Sequence, residues 1–123
     1  MYEKHETGKL GEDIAAKYVE RIGYEIIQRN FKCKQGEIDI IAKDGEEIVF
    51  IEVKTRLSML YGQPKDAVDK RKKKYIYRSA EFYIYIRKLE KYPVRIDVIE
   101  VYKKQGRFKI NYIKNAITER PKI

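Results

Sequence analysis

From Thr7 to Arg21, the apolar residues Leu10, Ile14, Ala15, Tyr18 and Val19 recur at three- and four-residue spacing, with Ile22 just beyond. That is the period of one face of an amphipathic helix, and Gly23 stands where a left-handed residue would end it. The pattern then changes. Tyr24 to Phe31, rich in isoleucine and aromatic residues, predicts a strand; Lys32 to Gln35 is a polar connection, and Gly36 opens a second strand. Asp44-Gly45 separates Glu37–Lys43 from Ile48–Arg56, so these two runs are expected to form a hairpin. Leu57 to Pro64 reads as a loop, with Pro64 suited to the first turn of a long helix. Val68, Tyr75, Ile76, Ser79, Ala80 and Tyr83 sit at helical spacing and carry that helix to about Lys88. Pro93 precedes a strand over Val94–Tyr102, and Gln105-Gly106 turns into Arg107–Ile113, where Phe108, Ile110 and Tyr112 alternate with polar residues. Helix, three strands, helix and two strands, without repeat or interdomain linker, read as one α/β domain over residues 1–123. Short flexible tails at both ends and a mixed sheet covered by helices complete that expectation.

The second and third strands break the apolar pattern in a particular way. Gly36-Glu37-Ile38-Asp39-Ile40-Ile41-Ala42 and Phe50-Ile51-Glu52-Val53-Lys54-Thr55-Arg56 carry ionisable residues at every second position. Alternation puts Glu37 with Asp39 on one face, and Glu52 with Lys54 on one face. Loop length decides how these meet. A two-residue Asp44-Gly45 loop sets Lys43 opposite Glu46 and Glu37 opposite Glu52; a four-residue loop sets Lys43 opposite Ile48 and Asp39 opposite Glu52. Both registers bring Asp39, Glu52 and Lys54 to one face, whereas a slip by one residue separates the carboxylates.

Such a cluster has a chemical logic. Two neighbouring carboxylates repel, and a bound Mg²⁺ relieves the repulsion through hard oxygen ligands. The cation polarises a phosphoryl oxygen and acidifies water, while Lys54 is placed to neutralise charge developing on phosphate. The tripeptide Glu52-Val53-Lys54 alone carries little, since this composition yields roughly three acid-x-lysine triplets by chance. Context carries more. The triplet ends the apolar run Ile48–Val53, which reads as buried on both faces, and burying such charges without a role is costly. One cysteine, Cys33, and one histidine, His5, exclude a zinc site of standard type; His5 lies in a terminus expected to fray.

Net charge is +9, with Lys70-Arg71-Lys72-Lys73-Lys74 as an unbroken basic run. That density points to a polyanion, nucleic acid before an acidic membrane, although a solvated helix face has the same composition. Only part of the run can face a substrate, because it exceeds one helical turn. Arg56, where its strand leaves the sheet, is placed for a phosphate contact, and stacking of Tyr75, Tyr77, Tyr83 or Tyr85 on splayed bases competes with plain core packing. No apolar run approaches the roughly 18 residues of a membrane span. A polar N-terminus and a single cysteine make the cytoplasm the expected compartment.

Taken in order, Gly8-x-x-Gly11-Glu12, Gly36-Glu37-Ile38-Asp39 and Phe50-Ile51-Glu52-Val53-Lys54-Thr55-Arg56 resemble the YraN-type family of small bacterial proteins. That family is similar to archaeal Holliday-junction resolvases and to the PD-(D/E)xK nucleases of restriction-endonuclease-like fold. The resemblance runs from about Lys4 to Asn115. It implies an αβββαβ core with a mixed sheet and Mg²⁺ or Mn²⁺ as cofactor. Carried onto this chain, it makes Asp39 and Glu52 metal ligands, with the Val53 carbonyl as a third, and Lys54 the catalytic lysine. Glu12 matches a helical glutamate that positions water in such sites; the plainer alternative is a solvent-facing helix acid. Glu37 stands behind these, and Ile38 occupies a position that is proline in many of the nucleases. Asp97, beside Arg95, reads as a structural ion pair.

The expected activity is therefore a Mg²⁺-dependent DNA endonuclease hydrolysing phosphodiester bonds, by analogy in branched or recombination intermediates. Junction cleavage favours a homodimer, for which Phe82-Tyr83-Ile84-Tyr85-Ile86 offers an apolar surface. The alternative is a non-catalytic module that grips nucleic acid or recruits a partner on a nuclease fold.

Overall fold

A computed structural model of the chain describes residues 2–56 and 70–117. Helix α1 spans Tyr2–Arg21 and is followed by strands β1 (Glu25–Cys33), β2 (Gly36–Asp44) and β3 (Glu47–Arg56). Helix α2 (Lys70–Arg87) and strands β4 (Val94–Lys104) and β5 (Arg107–Ile113) complete the order. The helix α1 thus begins before Thr7, its first turns built from the helix formers Glu3, Lys4 and Glu6. Its C-terminus closes as expected: Gly23, at φ 101°, lets its own N–H reach the Glu20 carbonyl at 3.0 Å and the Tyr24 N–H reach Val19 at 2.9 Å. The expected loop over Leu57–Pro64, Pro64 as a helix start, Val68 and the C-terminal tail from residue 118 lie outside the described residues.

All five strands form one sheet in chain order, β1-β2-β3-β4-β5. Only β3 and β4 run parallel, joined through α2, and every other pair is antiparallel. This is the mixed α/β sheet with helices that the sequence predicts, an arrangement consistent with a restriction-endonuclease-like fold. Alternation along β3 covers both faces. Val49, Ile51 and Val53 pack with Ala15, Ala16 and Val19 of α1, whereas Ile48 and Phe50 pack with Ile76, Ala80 and Tyr83 of α2. Of the two registers open for the β2–β3 hairpin, the molecule adopts the longer: Lys43 pairs with Ile48, and Asp44 with Glu47 closes the turn at Gly45-Glu46.

At the hairpin end of the sheet, Arg95 binds Asp97 through Nε at 3.0 Å and binds Asp44 and Glu47 through Nη1 at 3.0 and 2.6 Å. It also donates to the Tyr24 hydroxyl, and the Asn115 N–H donates to Asp97 at 2.9 Å. Arg95 and Asp97 are therefore the structural pair that was expected, enlarged into a network that fixes the hairpin to β4 and β5.

The proposed dimer stretch is largely committed to the core: Tyr83 is buried, and Phe82 and Ile84 pack beside it, leaving Tyr85 and Ile86 exposed. No helix among the described residues is long and apolar enough to cross a membrane.

Candidate functional site

The regular β2–β3 pairing ends at Ile40 opposite Ile51. One residue further along each strand are Asp39 and Glu52, both almost fully buried. Here Asp39 substitutes its side chain for a backbone acceptor: Oδ2 takes the Val53 N–H at 2.7 Å. The β1–β2 pairing also has an interval at this point, between Arg29 opposite Ile40 and Phe31 opposite Ile38. Asn30 falls in it with φ 53°, a left-handed conformation that asparagine tolerates better than most residues. Alternation consequently inverts across Asp39. Ile38 packs on the α2 side although Ile40, two residues on, packs on the α1 side. Plain period-two alternation through Glu37 and Asp39 thus fails, yet both carboxylates still line one cavity.

The cavity, of about 460 Å³, lies between the β1–β2 turn and α2. Lys32, Cys33 and Gly36 form one wall, Lys72, Tyr75 and Ile76 another, with Glu37, Asp39 and Glu52 between them. Two ammonium groups converge on Glu52 Oε1: Lys72 Nζ at 3.2 Å and Lys54 Nζ at 3.4 Å. Lys54 is thus brought to the acidic pair as expected. From the basic run, Lys72 is the member seen to reach Glu52, while Arg71 is exposed and Lys73 and Lys74 are half-buried. Lys70 opens α2, and Arg56 is exposed at the end of β3.

Burial dominates the electrostatics. It pushes the Asp39 carboxyl up to about 8, reinforced by the charge of Glu52 and opposed by the Val53 N–H. Burial also raises Glu52, which Lys72 and a hydrogen bond with Asp39 hold down. Two neighbouring buried carboxyls do not both ionise easily, and Asp39 is the one that holds its proton near neutral pH. Glu12 on α1 is raised too, first by burial and then by Glu37 and Glu52, with Arg29 opposing. Glu12 thus faces the acidic pair electrostatically, not the solvent alone.

Arg29 is a residue that the sequence reading passes over. Its Nη2 binds Asp13 Oδ1 at 2.7 Å, and its charge bears on Glu12. In the sequence it is one cation in a polar stretch of β1, with no spacing that singles it out.

Among the described residues, no group of three or more His, Cys, Asp or Glu is gathered closely enough to hold a metal ion. The donor set at this position is two carboxylates, Asp39 and Glu52, with the Val53 backbone beside them. Their chemistry suits a hard divalent cation that keeps several of its own waters, as Mg²⁺ does. A cation would also offset the burial and the Glu52 charge that together raise Asp39.

Comparison with known proteins gives one consistent result. A model of the uncharacterised protein family UPF0102 matches residues 11–101, which include every residue of the cluster. A UPF0102 protein of Caldicellulosiruptor saccharolyticus is 46% identical over 115 residues, 92% of this chain and 98% of the relative. One from Dehalococcoides mccartyi is 46% identical over 118 residues, covering 96% of this chain and 98% of its own. One from Clostridium kluyveri is 52% identical over 96 residues, 78% of this chain and 79% of the relative.

Proposed function

Since the chain belongs to the uncharacterised protein family UPF0102, the YraN-type family that its motifs resemble, chemistry has to be argued from the site, and we propose a metal-dependent endonuclease hydrolysing phosphodiester bonds in DNA. The observation that carries this reading is the burial of the Asp39 and Glu52 carboxyls side by side at the cavity, with two lysines converging on one Glu52 oxygen. An arrangement so costly to bury is expected where charge must be handled in a reaction.

Asp39 and Glu52 would hold Mg²⁺ or Mn²⁺, with the Val53 carbonyl as a further donor. When bound, that cation supplies Lewis acidity toward the phosphoryl group and acidifies water. Lys54, anchored at 3.4 Å from Glu52, neutralises negative charge developing on the phosphate. Glu12, its pKa raised by burial, is suited to accept a proton from the attacking water. Lys72, Lys73, Lys74, Arg71, Lys70 and Arg56 supply the positive field that draws the DNA backbone, and recognition by backbone and shape rests on them.

A second reading draws on the same ion pairs. Two lysines already neutralise Glu52 without a cation, which would suit a module that grips nucleic acid without cutting it. Incubation with linear, single-stranded, flapped and four-way DNA in Mg²⁺ or Mn²⁺ separates the two. The nuclease cuts, and Asp39→Asn, Glu52→Gln and Lys54→Ala each lower the rate at least about 100-fold with binding retained. Salt-sensitive binding without cutting in any metal supports the module instead.

Lys72 gives a separate expectation. Its ammonium competes with a divalent cation for Glu52 Oε1, so Lys72→Ala should tighten Mn²⁺ binding roughly fivefold to tenfold, the scale of a partly screened charge contact. The same variant should bind DNA more weakly. A Mn²⁺ titration followed by electron paramagnetic resonance reads the first effect, and weaker uptake in the variant would contradict it.

A further inference from the structure

We propose, resting on the nuclease reading, that the cavity beside Asp39 and Glu52 is a subsite for one unpaired nucleoside adjoining the phosphate to be cut, with Tyr75 as its stacking surface. At about 460 Å³ the cavity falls in the range of about 300–1,000 Å³ typical of small-ligand pockets, with room for one nucleoside. Its lining is mixed: Asp39 and Glu52 are acidic, Lys32 and Lys72 basic, and Tyr75 and Ile76 apolar. A nucleotide has groups to match, an anionic phosphate for the lysines and a flat base for the apolar residues.

Tyr75 is 47% exposed, whereas Tyr83 two turns along the same helix is buried at 2%. The backbone beneath Tyr75 is fixed. A Cβ on Gly36, which has φ +150°, would lie 3.1 Å from Ser79 Oγ and 3.4 Å from Tyr75 Cβ, so the β1–β2 turn sits directly against α2. Ser79 Oγ donates to the Tyr75 carbonyl at 2.8 Å. The ring therefore projects from a rigid base at the cavity wall, one helical turn from Lys72.

In duplex DNA the bases are paired and stacked, so a base enters such a cavity only after leaving the stack. The subsite selects single-stranded, flapped or junction DNA over blunt duplex. Stacking on tyrosine tolerates every base, so the subsite selects by pairing state and not by base identity.

The test uses the full chain in EDTA, with oligodeoxynucleotides carrying 2-aminopurine at an unpaired position. Wild-type protein should quench the fluorophore and bind single-stranded and flapped DNA more tightly than blunt duplex. Tyr75→Ala should lose roughly 5- to 100-fold in affinity for unpaired DNA together with the quenching, and keep its duplex affinity; Tyr75→Phe should retain both. Equal losses on unpaired and duplex DNA, or no loss, would overturn the subsite while leaving the nuclease reading intact. A selective loss in a protein that cuts no DNA with Mg²⁺ or Mn²⁺ would sustain the subsite and overturn the nuclease reading alone.

Discussion

In the presence of a chelator, the protein should lose stability as pH rises from about 4 to about 8, and Asp39→Asn should remove most of that loss. Asp39 titrates near 3.8 in the unfolded chain and near 8 when folded, chiefly because burial penalises its charge. Between those values the folded state binds a proton that the unfolded state has released, so stability falls with rising pH. The stabilisation from the protonated carboxyl is complete below 3.8 and is lost as pH passes through about 8. Asparagine retains the contact with β3, since its oxygen accepts the Val53 N–H, while carrying no charge to bury. At pH 8 the variant should therefore be more stable than wild type by on the order of a few kcal/mol, read as roughly 5–10 °C in melting temperature. Cleavage should be lost in the same variant. Stability and activity moving in opposite directions is the signature of a group kept for chemistry and not for folding. Thermal denaturation of both proteins at pH 4, 6 and 8 in EDTA checks it; a flat or rising wild-type profile would contradict the burial argument.

Gly11→Ala gives the second large effect, with a sign opposite to simple helix propensity. In an exposed helix interior, alanine for glycine gains about 0.5–1 kcal/mol. Here a Cβ on Gly11 would overlap Thr55 Oγ1 and lie 3.0 Å from Thr55 Cβ and 3.1 Å from Thr55 Cγ2. The half-buried threonine sits on β3 and is branched at Cβ, and because its Cβ is itself that close, turning the hydroxyl away does not clear the contact. Overpacking of this kind costs about 1–3 kcal/mol, which should appear as a clear drop in melting temperature. Thr55→Ala in the same chain should restore much of it, and the double-mutant cycle measures the coupling. The contact also joins two motifs in space, since Gly11 precedes Glu12 and Thr55 follows Lys54. Pushing α1 off β3 should therefore carry Glu12 away from Glu52 and slow cleavage further than the stability loss explains.

Much of this was legible in the chain because period and turn chemistry agreed. Gly23 ends α1 where the apolar period stops, and Ile48–Val53 is buried on both faces as its unbroken apolar run predicts. The register of the β2–β3 hairpin was narrowed to two choices because two- and four-residue loops both put Asp39, Glu52 and Lys54 on one face, whereas a slip by one residue separates the carboxylates. The choice between them was set by Asp44 pairing with Glu47, an outcome tied to the Arg95 network, which joins residues more than 45 positions apart.

The rest was hidden for physical reasons. The inversion at Asp39 depends on the left-handed Asn30 across the strand pair, and nothing in the order of residues around Asp39 records it. Arg29 acquires its meaning only when α1 is laid over β1. Lys72 is a different case. It precedes Ile76, Ser79, Ala80 and Tyr83 at the spacing of one helix face, so the phase of α2 marks it as the inward-facing member of an otherwise uniform basic run. The packing of Gly11 on Thr55 accounts for the small residue in Gly8-x-x-Gly11-Glu12 by contact, where the sequence offered only a pattern.

Asp39 and Glu52 together should hold one divalent cation. Calorimetric titration of the wild-type protein with Mn²⁺ at pH 7.5, beside Asp39→Asn and Glu52→Gln, tests it most directly. The wild type should take up one ion per chain, and both variants should lose that uptake. Absence of uptake by the wild type, or uptake undiminished in the variants, would contradict it.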